Sequence, residues 1–245
     1  MKFAGTDLGD YGMTVTLKGG DAGAPPLINP IDNVIDNGIT YTSRLETRVI
    51  SMSAVVSAAS KALLATALDN IKLLLNPQLG EKALYLDFPP SYDRFYTAKL
   101  ESLPQYLIQG TVAMTDLSFV CADPLAYYKS ETTVNKDLNA LGSDPYDWNQ
   151  TPGGSAINRK AEFVITSPAV GTVILQNITT GDTLTMTSDG SNITVDCDTF
   201  SCSGATAFSG HWPRLLPGEA NNIKITGAGT GAGTELDLTY RDCYL

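Results

Sequence analysis

The sequence is poor in the residue types that catalytic and nucleic-acid-binding sites need. Its 245 residues include a single histidine, His211, and only 17% of them are charged. One imidazole excludes sites that need two, among them most zinc hydrolase designs. Lys and Arg number 16 against 26 Asp and Glu, which gives a net charge of −10. That balance argues against a grip on nucleic acid and against binding to an anionic membrane surface.

Long apolar runs and targeting signals are also missing. No stretch approaches the ~18 uncharged apolar residues of a membrane helix, since the most apolar segment, 62–75, contains two charged residues. The first residues lack the apolar region of a secretory signal, so we expect synthesis in a reducing compartment. The cysteines at 121, 197, 202 and 243 are spaced too widely for a CxxC pair and are expected to be small buried thiols. A bridge or metal site at Cys197 and Cys202 remains the alternative.

Charge and composition divide the chain into two parts. Residues 1–129 carry 10 basic and 13 acidic groups, whereas residues 130–245 carry 6 and 13. A polar segment rich in turn residues lies between the apolar parts of the two halves. We therefore predict an N-terminal domain over 1–129, a linker over 130–158 and a C-terminal domain over 159–245.

The N-terminal part predicts strands around one helix. Leu64, Leu68 and Ile71 recur at helical spacing, and either Ser57 or Ser60 is suited to cap the helix start. Alternating or β-branched runs predict the strands. The predicted elements are strands over 14–17, 48–56, 83–88, 95–100 and 107–121, with a helix over 60–76.

The C-terminal part predicts strands alone. Short runs rich in Thr, Val and Ile alternate with turns that contain glycine, a pattern typical of a β-sandwich. The predicted strands cover 161–165, 172–178, 183–187, 192–196, 221–226 and 235–241.

Residue patterns for catalysis or cofactor binding are weak. The glycine-rich run 227–233 is followed by a strand, so it lacks the helix N-terminus that holds a phosphate. Asp196 and Asp198 share one face of a strand, yet the further oxygen ligands that Ca²⁺ requires are missing. We expect no cofactor, no metal and no enzymatic activity. The alternative is an acidic glycosidase with a carboxylate pair that the sequence does not identify.

Four short motifs occur in a recognisable order. They are FAGTDLGDYG at 3–12, DNGITY at 36–41, LSFVCADPLAY at 117–127 and WPRLLPGEAN at 212–221. In order and spacing they resemble the distal tail (Dit) proteins of siphovirus-type long-tailed bacteriophages. The 36–44 loop lacks the Pro-Gly-Arg sequence of that family.

The resemblance implies a mainly β fold, with a β-sandwich-like ring (belt) domain that contains one helix and a galectin-like C-terminal β-sandwich. It also implies a structural role, in which six copies form a ring at the tail tip of the virion after assembly in the host cytoplasm. The ring would join the tail tube protein to the hub or tail-associated lysin. Receptor-binding proteins or host-surface sugars would contact the outer domains.

The resemblance and the residue types together give candidate contact residues. The candidate subunit interface comprises Asp36, Asn37, Tyr41 and Arg48. His211 and Trp212 are candidate contacts for a sugar or a protein partner. A carbohydrate-binding module built on the C-terminal sandwich and Trp212 is the main alternative function.

Overall fold

The structure is a computed structural model that describes residues 1–18, 27–28, 44–86, 93–137, 146–230 and 233–245. The chain forms two compact units. The first unit is Met1–Ala126 together with Leu245, and the second unit is Tyr127–Tyr244. The division lies close to the predicted domain end at residue 129.

The first unit contains most of its strands in one antiparallel sheet. That sheet has the order β2-β1-β7-β8-β10-β6-β3, with β9 also paired to β10, while β4 and β5 pair separately. Two short 3-10 helices cover Leu8–Tyr11 and Pro77–Leu79. The other elements are β1 Lys2–Phe3, β2 Thr6–Asp7, β3 Met13–Leu17, β4 Leu27–Ile28, β5 Arg44–Leu45, β6 Arg48–Ser57, α1 Lys61–Leu74, β7 Lys82–Tyr85, β8 Arg94–Leu100, β9 Leu107–Gln109, β10 Val112–Cys121 and β11 Ala126–Tyr128.

The centre of this sheet is the ladder between β6 and β10. The two strands pair over ten residues each, from Arg48 opposite Cys121 to Ser57 opposite Val112. Side chains alternate between the faces, so Met52 and Leu117 are buried together on one face while Ser51 is exposed on the other. The buried face forms the core of the first unit.

Helix α1 forms where the sequence predicts it. Leu64, Leu68 and Ile71 are buried, and the helix contacts β6 and the first 3-10 helix. The N-cap is Ser60, whose hydroxyl oxygen accepts a hydrogen bond from the Leu63 amide at 3.2 Å. Of the two predicted caps, Ser60 is therefore the correct one, and Ser57 ends β6.

The single strand predicted over 107–121 is wrong in one respect. The chain turns back at Gly110, which has a φ of +64° that favours glycine, and so forms β9 and β10 as a hairpin. The apolar residues continue on both sides of the turn. The sequence pattern therefore gave no sign that the strand is interrupted.

The second unit is a β-sandwich. One sheet has the order β12-β21-β14-β17-β18 and the other β13-β20-β15-β16-β19. The elements are β12 Thr132–Asp137, β13 Tyr146–Gln150, β14 Glu162–Thr166, β15 Gly171–Asn177, β16 Asp182–Ser188, β17 Ile193–Asp196, β18 Ser201–Ser203, β19 Ala205–Gly210, β20 Asn221–Thr226, β21 Glu235–Tyr240 and β22 Cys243–Tyr244.

Both sheets contribute alternate side chains to one hydrophobic core. Phe163 and Leu238 come from the first sheet, and Leu175, Met186 and Ile223 come from the second. All five are essentially inaccessible to solvent. The predicted fold class, mainly β with a C-terminal sandwich and one α-helix among the described residues, is confirmed.

The segment 130–158, predicted as a linker, instead belongs to the sandwich. It contains β12 and β13, which are edge strands of the two sheets. Asn158 is buried, and its side-chain amide donates to the Arg241 carbonyl oxygen at 2.7 Å. The prediction failed because edge strands bury few side chains, so these segments are polar and resemble loops.

The cap assignment predicts a specific effect on stability. Ser60→Ala removes the acceptor for the Leu63 amide, so we expect the free energy of unfolding to fall by about 1 kcal/mol. Ser57→Ala is the matched control, with an expected change within about 0.5 kcal/mol. Urea unfolding followed by circular dichroism measures both. Equal effects of the two substitutions would contradict the assignment.

Candidate interaction surfaces

Three of the predicted interface residues, Asp36, Asn37 and Tyr41, lie outside the described residues. The fourth, Arg48, starts β6 and is only 3% exposed. Its guanidinium lies over the Tyr96 ring, 5.1 Å from the centroid, and none of its three nitrogens has a hydrogen-bond partner among the described residues. An interface role for Arg48 stays a prediction, since this side chain is buried within the described chain.

The surroundings of Arg48 are strongly desolvated. Cys121, its register partner on β10, is buried, and this burial raises the pKa of the Cys121 thiol to about 12 although the charge of Arg48 opposes the shift. Cation–π contact contributes about 2 kcal/mol when it is desolvated. Loss of hydration for an unpaired cation costs several kcal/mol. Among the described residues, the Tyr96 ring is the group that offsets this cost, and no hydrogen-bond acceptor adds to it.

A row of apolar side chains crosses the outer face of the first unit's sheet. Leu107, Met114 and Val55 are register partners on β9, β10 and β6, so they point to the same face. All three are exposed, Leu107 by 63%. We call them the apolar row. Large contiguous apolar patches are typical of protein contact sites, so the apolar row is a candidate contact surface.

A second apolar surface lies beside the C-terminal end of α1. Leu73 is 69% exposed and Leu79 is also exposed. Both border a groove of about 280 Å³ whose lining also includes Phe3 and Tyr11. The described part of the first unit therefore exposes apolar side chains in the apolar row and beside α1.

Trp212 belongs to an aromatic cluster on the second unit. The Phe200 and Phe208 rings meet the Trp212 ring edge-on, with centroids 5.9 and 5.7 Å away. Phe200 is 61% and Phe208 47% exposed, while Trp212 is half-buried against the sandwich core. These three residues are the aromatic cluster. The exposed His211 lies next to it, and its backbone amide donates to the Thr183 carbonyl oxygen at 2.7 Å.

An ion pair fixes the chain just after Trp212. Arg214 donates from Nε and Nη2 to the two carboxylate oxygens of Asp182 at 2.9 and 3.0 Å, and its backbone amide donates at 3.1 Å. Burial tends to raise the pKa of Asp182, but hydrogen bonds from Arg214 and Thr180 outweigh it and lower the pKa below its usual value. These hydrogen bonds fix the position of the segment that contains Trp212.

Two buried asparagines hold the same segment from the other side. The Asn177 side-chain amide donates to the Arg214 carbonyl oxygen at 2.6 Å and to the Asn221 side-chain oxygen at 3.0 Å. That Asn221 oxygen also accepts from the Leu216 amide at 2.8 Å. The motif at 212–221 is therefore a rigid turn, because its backbone groups are bonded to buried side chains.

The carboxylates and thiols singled out in the sequence have structural roles. The Asp196 carboxylate accepts from the amides of Asp198 and Thr199, at 2.8 and 3.2 Å, and so stabilises a turn. Cys197 and Cys202 are free thiols, and burial raises the pKa of Cys197 to about 12. Within the described ranges, no group of three His, Cys, Asp or Glu side chains is placed to hold a metal ion.

The fold matches that of a solved phage protein. The chain superimposes on the crystal structure of SPP1 Dit (gp 19.1), a paradigm of the hub adsorption apparatus in phages that infect Gram-positive bacteria. The match covers 99% of this chain and 98% of that one, with a TM-score of 0.68 and 17% identity. The Dit-type fold that the sequence motifs predict is therefore confirmed.

Other comparisons add little. A chain of the phage p2 baseplate, in its activated conformation with Sr, matches over 92% of this chain and 90% of its own length, with a TM-score of 0.46 and 11% identity. No family model and no curated protein matches the sequence. Among the described helices, none has the length and apolar character needed to cross a membrane.

Sequence reasoning identified Trp212 but missed Phe200 and Phe208. These two residues are separated in sequence by β18 and Gly204, and both rings contact Trp212 in the folded chain. The available signal was a run without charge: residues 199–213 contain no Asp, Glu, Lys or Arg. The run shows that these side chains carry no charge, but it does not show that the aromatic residues come together in the fold.

The Asp182–Arg214 pair gives a testable pH dependence. Because the pKa of Asp182 is lowered in the folded state, its contribution is present above about pH 4 and is lost as the pH falls through the folded pKa. We expect Asp182→Asn to lower the free energy of unfolding by roughly 1–3 kcal/mol at pH 7 and by less at pH 2–3. Urea unfolding across this pH range measures the difference.

Asp198→Asn is the control for that substitution. Asp198 makes a more exposed ion pair with Lys160 at 3.4 Å, so its loss is expected to cost at most about 1 kcal/mol. A pH-independent effect of Asp182→Asn, or one no larger than the control, would contradict the role given to this pair.

Proposed function

We propose that this protein is a non-enzymatic structural component of a phage tail tip. In this proposal the first units of six copies form a ring that joins the tail tube protein to the hub or tail-associated lysin. The second units serve as a platform for host-adsorption proteins. The observation that carries the proposal is the fold match to SPP1 Dit, which extends over both units at a TM-score of 0.68.

The surfaces of the first unit support ring formation. A ring subunit must present two different surfaces that meet head to tail on neighbouring copies. The apolar row and the groove beside Leu73 and Leu79 are two such surfaces, and both expose large apolar side chains to solvent. Contact with a second copy would remove this apolar area from water.

We also keep the predicted interface residues in this proposal. Asp36, Asn37 and Tyr41 are included because of the family resemblance. Arg48 is included because its guanidinium has no acceptor in the described chain, and a carboxylate of a neighbouring copy would compensate its charge if ring formation exposed this buried side chain. The assembled ring would be located in the virion, after assembly in the host cytoplasm.

A carbohydrate-binding module is the second candidate function. The aromatic cluster favours it, because exposed aromatic rings stack against sugars. His211 lies beside the cluster and is the predicted polar contact. This alternative requires saturable binding of a sugar that Trp212→Ala abolishes.

The ring is tested by the mass of the purified full-length protein. We expect light scattering across a concentration series to show a species of six times 26.0 kDa. Negative-stain images of the same fractions should show a central hole. A protein that stays monomeric at every concentration and is absent from tails would overturn the proposal.

The apolar row gives a substitution test of the same assembly. Leu107→Lys places a charge in the row, and we expect the ring to dissociate at a concentration at least about tenfold higher than for the unchanged protein. Val170→Lys is the matched control, because Val170 is an exposed apolar residue of the second unit. An unchanged ring in Leu107→Lys would exclude the apolar row from the interface.

A further inference from the structure

The strand β19 lies at an open edge of the sandwich. It pairs with β16 on one side, and no described residue pairs with its other side. All six of its residues, Ala205–Gly210, are exposed or half-buried. β18 precedes β19 in the chain and is the edge strand of the other sheet. The two strands are joined at Gly204, where a Cβ would clash with the Asn192 carbonyl oxygen. Both open edges therefore lie on one flank of the sandwich.

The hydrogen-bond register shows which backbone groups of β19 are free. The His211 amide donates to the Thr183 carbonyl oxygen, and Ser209 is opposite Thr185 two residues earlier. Hydrogen-bonded pairs alternate in an antiparallel ladder, so the amide and carbonyl of Ser209 face β16. The amide and carbonyl of Phe208 therefore point away from β16, toward the open edge. An incoming strand would find a donor and an acceptor at Phe208.

The side chain of Phe208 adds an apolar contact at the same position. Its register partner on β16 is the buried Met186, so Phe208 points to the core side of the sheet. There it meets Trp212 and lies at the rim of the aromatic cluster. A strand paired with β19 would place the side chain opposite Phe208 against this cluster.

The charge distribution selects the kind of strand that fits. Residues 199–213 contain no charged side chain, although the second half of the chain carries 13 acidic groups against 6 basic ones. Open edges are commonly protected by Lys or Pro, and β19 has neither. A bulge disturbs only its first residues, between Ala205 and Ala207. Asp196 and Asp198 lie just before the uncharged run.

We propose that β19 binds an extended segment of another protein as an added antiparallel strand. The segment would place an apolar side chain opposite Phe208 and carry basic residues at its ends, where the acidic unit attracts them. The strand addition itself rests on the open edge alone. That the segment belongs to another tail protein rests on the proposed function.

The test uses the full-length protein and a synthetic acetylated peptide of sequence KKVTITVTKK. We expect the peptide to bind saturably, as measured by the tryptophan fluorescence of the protein. In the complex, hydrogen exchange at the Phe208 amide should be at least about tenfold slower than in the free protein. Phe208→Lys should weaken binding at least about tenfold. Thr172→Lys adds the same charge to an exposed position of β15 away from the edge, and should change affinity by less than about twofold.

Several outcomes would overturn the inference. The first is equal affinity of the peptide for Phe208→Lys and Thr172→Lys. The second is no slowing of hydrogen exchange at the Phe208 amide. The third is a sugar that binds at Trp212 where the peptide does not bind. If Phe208→Lys fails to fold, Phe208→Ala takes its place in the test. This variant adds no charge and should also weaken peptide binding. Light scattering of each variant reports the ring separately, so loss of the ring and loss of peptide binding are distinguishable.

Discussion

The structure depends on the strict alternation of side chains along its central strands. In β15, β16, β20 and β21, every second residue is buried, and together they fill the core of the second unit. Alternation leaves the other half of each central strand on an outer face. Strands at the ends of a sheet also keep one row of backbone donors and acceptors unpaired. The surfaces that a partner can contact are therefore the outer faces of the sheets and their edge strands.

The same alternation decided how much of the fold the sequence could predict. Helix α1 and the central strands were predictable because buried apolar residues recur at one clear period. β12 and β13 were taken as a linker because they are edge strands with polar sequences. β18 and β19 consist largely of Ser, Ala, Thr and Gly, whose pattern does not separate a strand from a loop. Their places depend on the strands they pair with, which are distant in sequence.

The candidate sites were predictable to a smaller extent. Trp212 stood out because of its residue type and motif, whereas Phe200 and Phe208 join it only in the folded chain, through ring contacts that their sequence positions do not indicate. Arg48 was predicted at an interface, and the structure shows its side chain buried over Tyr96 with no hydrogen bond to a described residue. Sequence spacing gives neither depth nor partners for such a side chain. An interface role for Arg48 therefore stays a prediction, and the described residues show only that its guanidinium is buried without an acceptor among them.

The two kinds of open surface differ in what they can bind. The apolar row is a sheet face of side chains, so it offers burial of apolar area and little directional bonding. The edge at β19 offers backbone hydrogen bonds, which fix the register of a partner but not its sequence, and the aromatic cluster supplies the side-chain selection. The two surfaces lie in different compact units of the chain. The proposed ring contact and the proposed strand addition therefore rest on different physical interactions, burial of apolar area in the first case and backbone pairing in the second.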